Sequence, residues 1–342
     1  MGKYSIENYY GRYSLTRCRP EEDRTPVPGA GYCPFVTADI RPGDDPVPAE
    51  NTLLRLHIGA GGSGEIAAAV RSLAARYAGD PRIIGVTAAP DGFCPDTVWE
   101  TVAEAFRPKR FFVPVTDGHM LARALRKGFI GGLLAEVNGD PLDICEAFAL
   151  HNAQRLYESM PVLVRFTDPG KADGRWALQW HAAAAEGVET LAGPRLALRR
   201  LNYPRELTSG GFAPMQFWWT NRGPSPLYER SEARLRLVRN GETAAVILPG
   251  DTADSIHLGD YVFNRIIRLP ELPEGEYRLQ FGRFREDGAP LRLANAAPAG
   301  DGYYDGDVIR IDRIPRPELE TVWDDWRPDG YYPLEDPAQP GE

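Results

Sequence analysis

Apolar and polar positions follow two rhythms along this chain, and the change between them falls near residue 200. Upstream, short apolar runs such as LLRLHI (53–58), RIIGVTA (82–88), RFFVPVT (110–116), FIGGLLAEV (129–137) and MPVLVRF (160–166) alternate with segments of helical spacing. One of these, SGEIAAAVRSLAARYAG (63–79), carries helix formers throughout, with Ser63 placed to start it and Gly79 to stop it. Strands separated by helices of this length predict a parallel sheet made of βαβ units, as a barrel or an open sheet. Downstream, MQFWWTN (215–221), ARLRLVRN (233–240), TAAVILP (243–249), DYVFNRIIRLP (260–270), GEYRLQFGRF (275–284), LRLANA (291–296) and DVIRID (307–312) are short alternating strands between Gly, Pro and Asn turns. That pattern predicts an antiparallel β-sandwich. The expected division is an irregular arm over 1–50 with one strand (PFVTADI, 34–40), a parallel unit over 51–198, a sandwich over 199–315 and a Pro-rich acidic tail over 316–342.

Composition narrows the function without naming it. A chain of 342 residues with 43% hydrophobic and 25% charged residues has the material for two packed cores. Its net charge of -9 and the lack of a Lys/Arg stripe argue against a nucleic-acid partner. No run is long enough to span a membrane and no signal-peptide core opens the chain, so the expected setting is cytoplasmic. The cysteines Cys18, Cys33, Cys94 and Cys145 show no CxxC spacing, so neither a zinc site nor a disulfide framework is signalled. The Gly-rich GAGGSGE (59–65) lacks the Lys-Ser/Thr ending of a phosphate loop, and no acidic residue closes the following strand as a dinucleotide site requires. No cofactor is therefore expected.

Motifs in the sandwich region carry a resemblance. Asn221, Gly223 and Pro226 follow its first strand; Leu269, Pro270, Leu272, Gly275, Tyr277 and Leu279 outline a hairpin; and Leu293, Ala294, Asn295, Asp301 to Tyr304 and Gly306 close it. In this order they resemble a domain of unknown function that follows a TIM-type barrel in bacterial glycoside-hydrolase-like proteins. Upstream, Arg76, Tyr77, Pro81 and Ile84 in LAARYAGDPRIIGV look similar to the approach to the fourth barrel strand, and MPVLVRF to the seventh. The resemblance implies an α/β plus all-β chain: a shortened, incomplete (β/α) barrel and an antiparallel β-sandwich. The span is too short for eight full units, which take about 250 residues. There is also no room for a first helix between FVTADIRPGDD and LLRLHI.

Glycoside hydrolysis needs two carboxyl groups across the scissile bond. The resemblance places a glutamate after the fourth strand and another at the end of the seventh, yet APDGFCPD follows the first and Arg165 occupies the second. Asp91, Glu136 and Asp168, all near carboxyl ends of parallel strands, are the candidate replacements; for the two aspartates the competing reading is turn chemistry in PDG and DPG. His57, Arg165, Trp323 and Trp326 are the candidate sugar contacts, with a packed histidine the competing reading for His57. His119, His151 and His181 are expected on helical segments without ligand spacing. Asp301, Asp305 and Asp307 invite a calcium reading, but lack the EF-hand's ligand order, so no metal is expected. The expected role is glycan binding or scaffolding by a chain without the usual acid pair. The alternatives are an active glycosidase with relocated acids and a structural protein making homo-oligomer contacts.

Overall fold

The structure, a computed structural model, describes residues 15–18, 35–59, 62–90, 97–168, 170, 172–188, 192–296, 298 and 301–320. The chain forms two compact units, one of Pro26–Arg195 with Arg222–Tyr228, the other of Met1–Thr25, Leu196–Asn221 and Glu229–Glu342. Strand β1 (Leu15–Cys18) lies in the second unit. The first holds β2 (Val36–Ile40), β3 (Thr52–Ile58), α1 (Ser63–Tyr77), β4 (Ile83–Pro90), α2 (Thr97–Ala105), β5 (Arg110–Pro114), α3 (Gly118–Lys127), β6 (Gly132–Val137), α4 (Pro141–Leu150), β7 (Val162–Phe166), α5 (Gly174–Gln179) and β8 (Ala182–Glu186). Its seven strands pair in chain order, parallel throughout, and β2 follows straight into β3 with no helix between.

Alternation sorts each strand's side chains onto two faces. On β3, Leu54, Leu56 and Ile58 pack with Ile66, Val70, Leu73 and Tyr77 of α1 in the helix-side core. Burying each such side chain is worth roughly 1.5–3 kcal/mol. The opposite face holds a second, smaller core of Phe35, Leu53, Phe112, Leu134, Leu163 and Ala184. Phe112 fits there because glycines flank it on the neighbouring strands: a Cβ on Gly85 or Gly132 would come within 2.4 and 2.3 Å of its ring.

The sheet curls into a half-barrel that draws its two edges together. Glu186, last residue of β8, accepts from the Thr37 backbone N–H of β2 at 2.7 Å and from the Thr37 hydroxyl at 2.5 Å. A carboxylate thus stands where another strand would bond. Two expectations change here. The strand expected within an irregular arm is, over Val36–Ile40, the first strand of the parallel sheet. His181, expected on a helix, is a turn residue with φ of +56° between α5 and β8, and the alanines after it are strand. Alanine's helical preference is small, and pairing with β7 in a fully buried position overrides it.

The second unit holds β9 (Leu196–Pro204), β10 (Glu206–Thr208), β11 (Phe212–Asn221), β12 (Ser231–Arg239), β13 (Glu242–Ile247), β14 (Thr252–Ala253), β15 (Gly259–Arg268), β16 (Gly275–Arg285) and β17 (Tyr304–Asp312). They form a four-stranded sheet in the order β1-β9-β11-β15 and a six-stranded sheet in the order β10-β17-β16-β12-β13, with β14 beside β12. The two are joined by a buried ion pair. Asp251 accepts from Trp219 Nε1 at 2.8 Å and Tyr261 Oη at 3.3 Å on the first sheet, and from Arg283 at 3.1 Å on the second. Arg283 also donates to Ser231 Oγ at 2.8 Å, so neither buried charge lacks partners.

The closing motif has a structural explanation. LRLANA, expected as a strand, is irregular. Asn295 replaces backbone pairing with its side chain, accepting from Leu198 N at 2.9 Å and donating to Leu198 O at 3.0 Å beside a register shift in β9 and β11. Tyr304 Oη likewise accepts from Leu293 N at 2.8 Å and donates to Leu293 O at 3.2 Å. Gly302, at φ of +84°, makes the bend between them.

Candidate functional site

Above the small inner core, five of the seven strands of the half-barrel change from apolar to polar on the concave face. The step of two from Leu53 reaches Arg55 and then His57; from Leu134, Glu136; from Leu163, Arg165; from Ala184, Glu186; and from Phe35, Thr37 and then Asp39. These positions lie toward the carboxyl ends of the parallel strands, where barrel and open α/β folds build their sites.

The polar groups form one connected chain of bonds. Arg165 donates from Nη1 to Glu136 Oε1 at 3.1 Å, and its Nε lies 2.9 Å from Glu186 Oε2. The same Glu136 oxygen is 3.3 Å from Arg55 Nη1, and Arg55 Nε stands 3.9 Å from Asp39. Asp39 bonds His57 Nε2 at 2.7 Å. Glu136, Arg165 and His57, three of the residues singled out in the sequence, are therefore brought together. Asp168 is not among them: it is exposed and accepts from its own Gly170 N–H at 2.9 Å, which is turn chemistry. Asp91, Trp323 and Trp326 lie outside the described residues.

No protein-family model matches the chain, and no curated protein does. Among solved structures it is similar to a β-glucosidase mutant from Listeria innocua bound to laminaribiose, at 8% identity and a TM-score of 0.25 over 91% of this chain and 50% of that one. It is also similar to a calcium-binding mutant of a Bacteroides uniformis β-glucuronidase, at 7% identity and a TM-score of 0.27 over 76% of this chain and 38% of that one. A CARDB domain from Pyrococcus furiosus matches at 15% identity and a TM-score of 0.24, over 34% of this chain and 93% of that one. The chain spans half or less of the two glycosidases. TM-scores of this size do not establish a shared fold.

The chemistry open to the site follows from its bonding. Glu136 and Glu186 have the Arg165 guanidinium between them. One oxygen of Glu136 meets two cations, and both oxygens of Glu186 are occupied by Thr37 and Arg165. Three carboxylates face two guanidinium groups and one imidazole, a mixed donor and acceptor lining without a strong excess of either sign. Among the described residues no group of three or more His, Cys, Asp or Glu is arranged to hold a metal ion. The three aspartates of the closing motif are separated by arginine partners: Asp301 bonds Arg236, Asp305 lies 3.3 Å from Arg278, and Asp307 lies 3.4 Å from Arg205. No helix among the described residues is long and apolar enough to cross a membrane.

Sequence reading missed Asp39, Arg55, Thr37 and Glu186. A usable signal was present: in LLRLHI, GLLAEV, VLVRF and AAAAE a charged residue stands two positions after a core residue, near the end of an otherwise apolar run. On a strand covered on both faces, such a residue must point into a polar interior or a site. An apolar cavity of about 190 Å³ lies at the end of β3 between Leu56, Ile58 and the α1 residues Ile66, Val70 and Leu73. Those residues belong to the helix-side core, and His57 also lines the cavity.

Proposed function

We propose that this chain is a glycoside-hydrolase-like protein that binds a carbohydrate at the mouth of its curled parallel sheet without hydrolysing it. The observation that carries this reading is Arg165, which bonds both Glu136 and Glu186. Hydrolysis needs one carboxyl group to give a proton to the leaving oxygen and a second to attack or to activate water. Both oxygens of Glu186 are engaged by Thr37 and Arg165, and Glu136 shares one oxygen between two guanidinium groups, so neither is set as an acid and base pair. What remains is a layer of charged and hydroxyl groups that hold one another, with Glu136 Oε2 not engaged by the arginines. Sugars are recognised by such planar, bidentate groups because each hydroxyl donates and accepts at once.

The test is binding separated from turnover. Saturation-transfer NMR with a panel of neutral mono- and disaccharides is expected to show contact with the wild-type chain. Arg165→Ala is expected to abolish it by releasing the two glutamates from their shared partner. Wild-type protein that contacts none of the sugars would overturn the reading.

A further inference from the structure

We infer that Thr87 is a ligand-contact residue of this mouth, and that the group it meets is a hydroxyl of a neutral polyol that displaces the Arg55 side chain. The inference rests on the carbohydrate reading and gives it a residue and a ligand class.

Thr87 lies on β4 and pairs in register with Arg55 on β3, so the two share the concave face. It is 1% exposed, and its hydroxyl has no hydrogen-bond partner. A buried hydroxyl without a partner costs stability that a valine of the same shape would not, and native chains satisfy nearly all such groups. The neighbours Val86 and Ala88 pack in the helix-side core on the opposite face of β4 and offer the hydroxyl no partner. Polar groups that break this rule concentrate where a ligand completes them.

Arg55 explains why the position is covered. Strands β4 and β5 lie between β3 and β6, so the Arg55 side chain crosses the concave face in front of Thr87 to reach Glu136. Its hold is the looser of the two arginines: 3.3 Å to Glu136 and 3.9 Å to Asp39, against 3.1 and 2.9 Å for Arg165. Only Oε1 of Glu136 is engaged by the arginines, which leaves Oε2 to accept from a ligand. A hydroxyl placed between them accepts from Thr87 Oγ1 and donates to Glu136 Oε2 as Arg55 moves aside. Three carboxylates outnumber two guanidinium groups, which disfavours uronates and sugar phosphates and leaves neutral polyols as the class.

The test titrates the full chain with D-glucose, D-galactose, D-mannose and D-xylose, and with D-glucuronate and D-glucose 6-phosphate as charged counterparts, for wild type, Thr87→Val and Thr87→Ser. Loss of one neutral hydrogen bond is expected to weaken neutral-sugar binding of Thr87→Val by about threefold to tenfold, while Thr87→Ser keeps it. Thr87→Val is also expected to melt no lower than wild type. If wild type binds and Thr87→Val binds equally well, or if Thr87→Val melts lower or fails to fold, the Thr87 assignment is wrong while the carbohydrate reading stands. Tighter binding of glucuronate or glucose 6-phosphate than of the neutral sugars overturns the ligand class. If wild type binds none of the six, the carbohydrate reading fails and this inference with it.

Discussion

At the scale of single residues, the clearest energetic commitment is Asp251. Its carboxylate and the Arg283 guanidinium are both fully buried; the carboxylate is bonded from both sheets, and the guanidinium also bonds Ser231. Replacing one member strands the other charge, so Asp251→Ala is expected to lower the urea unfolding free energy by about 3–5 kcal/mol. Tyr261, bonded to the same carboxylate, is pushed up to about 12 by burial and by the Asp251 charge. A raised folded-state value means that its stabilisation is complete below pH 10 and is lost between about 10 and 12; Tyr261→Phe is expected to flatten unfolding curves over that range. Asp312 shows the opposite sign. The Arg316 hydrogen bond holds its carboxyl down from 3.8 to about 2, so this contribution is present above pH 4 and lost as pH falls toward 2. Arg316→Ala is expected to remove that acid-side slope. Little of this was legible in the sequence. A motif such as LAN or DGYY marks the domain, but that Asn295 and Tyr304 act by satisfying the backbone of Leu198 and Leu293 depends on which strands meet.

At the scale of elements, the decisive feature is the seam between β2 and β8. Side-chain bonds from Glu186 to both the backbone and the hydroxyl of Thr37 do the work of a missing ladder. Glu186→Ala is expected to raise amide exchange over Val36–Ile40 tenfold or more, the local cost being about 1–3 kcal/mol, while β16 in the sandwich keeps its protection. Hydrogen exchange resolved by peptide checks both halves of that statement. The strands and helices themselves were readable, because apolar runs of five to eight residues and the helical spacing of SGEIAAAVRSLAARY survive any tertiary arrangement. AAAAE was not, since alanine alone carries no strand signal and its burial on both faces decides the outcome. Nor was the placing of β2, whose five residues gain their meaning only from parallel pairing with β3.

At the scale of the whole molecule, the chain does not divide at one point. The change of rhythm near residue 200 is real, and β9 begins there, yet Arg222–Tyr228 belongs to the parallel unit. Within that unit His181 Nδ1 bonds Pro224 O at 2.7 Å, Tyr228 Oη donates to Tyr157 O at 2.5 Å, and Arg110 donates to Tyr228 O at 3.1 Å. A fragment of residues 26–195 is therefore expected to melt lower than the same fragment with 222–228 appended. Sequence periodicity cannot see such a return, because seven residues with no rhythm of their own take their place from contacts far along the chain. The candidate site has the same character: Glu136 and His57 were visible at strand ends and Arg165 where the resemblance places a glutamate, whereas their meeting through Arg55, Asp39 and Glu186 required the curl of the sheet. Whether this mouth engages sugar without cleaving it is tested by incubating the chain with a panel of aryl glycosides and following release of the aryl alcohol. No release from any of them is expected; release by wild type that disappears in Glu136→Gln would contradict it.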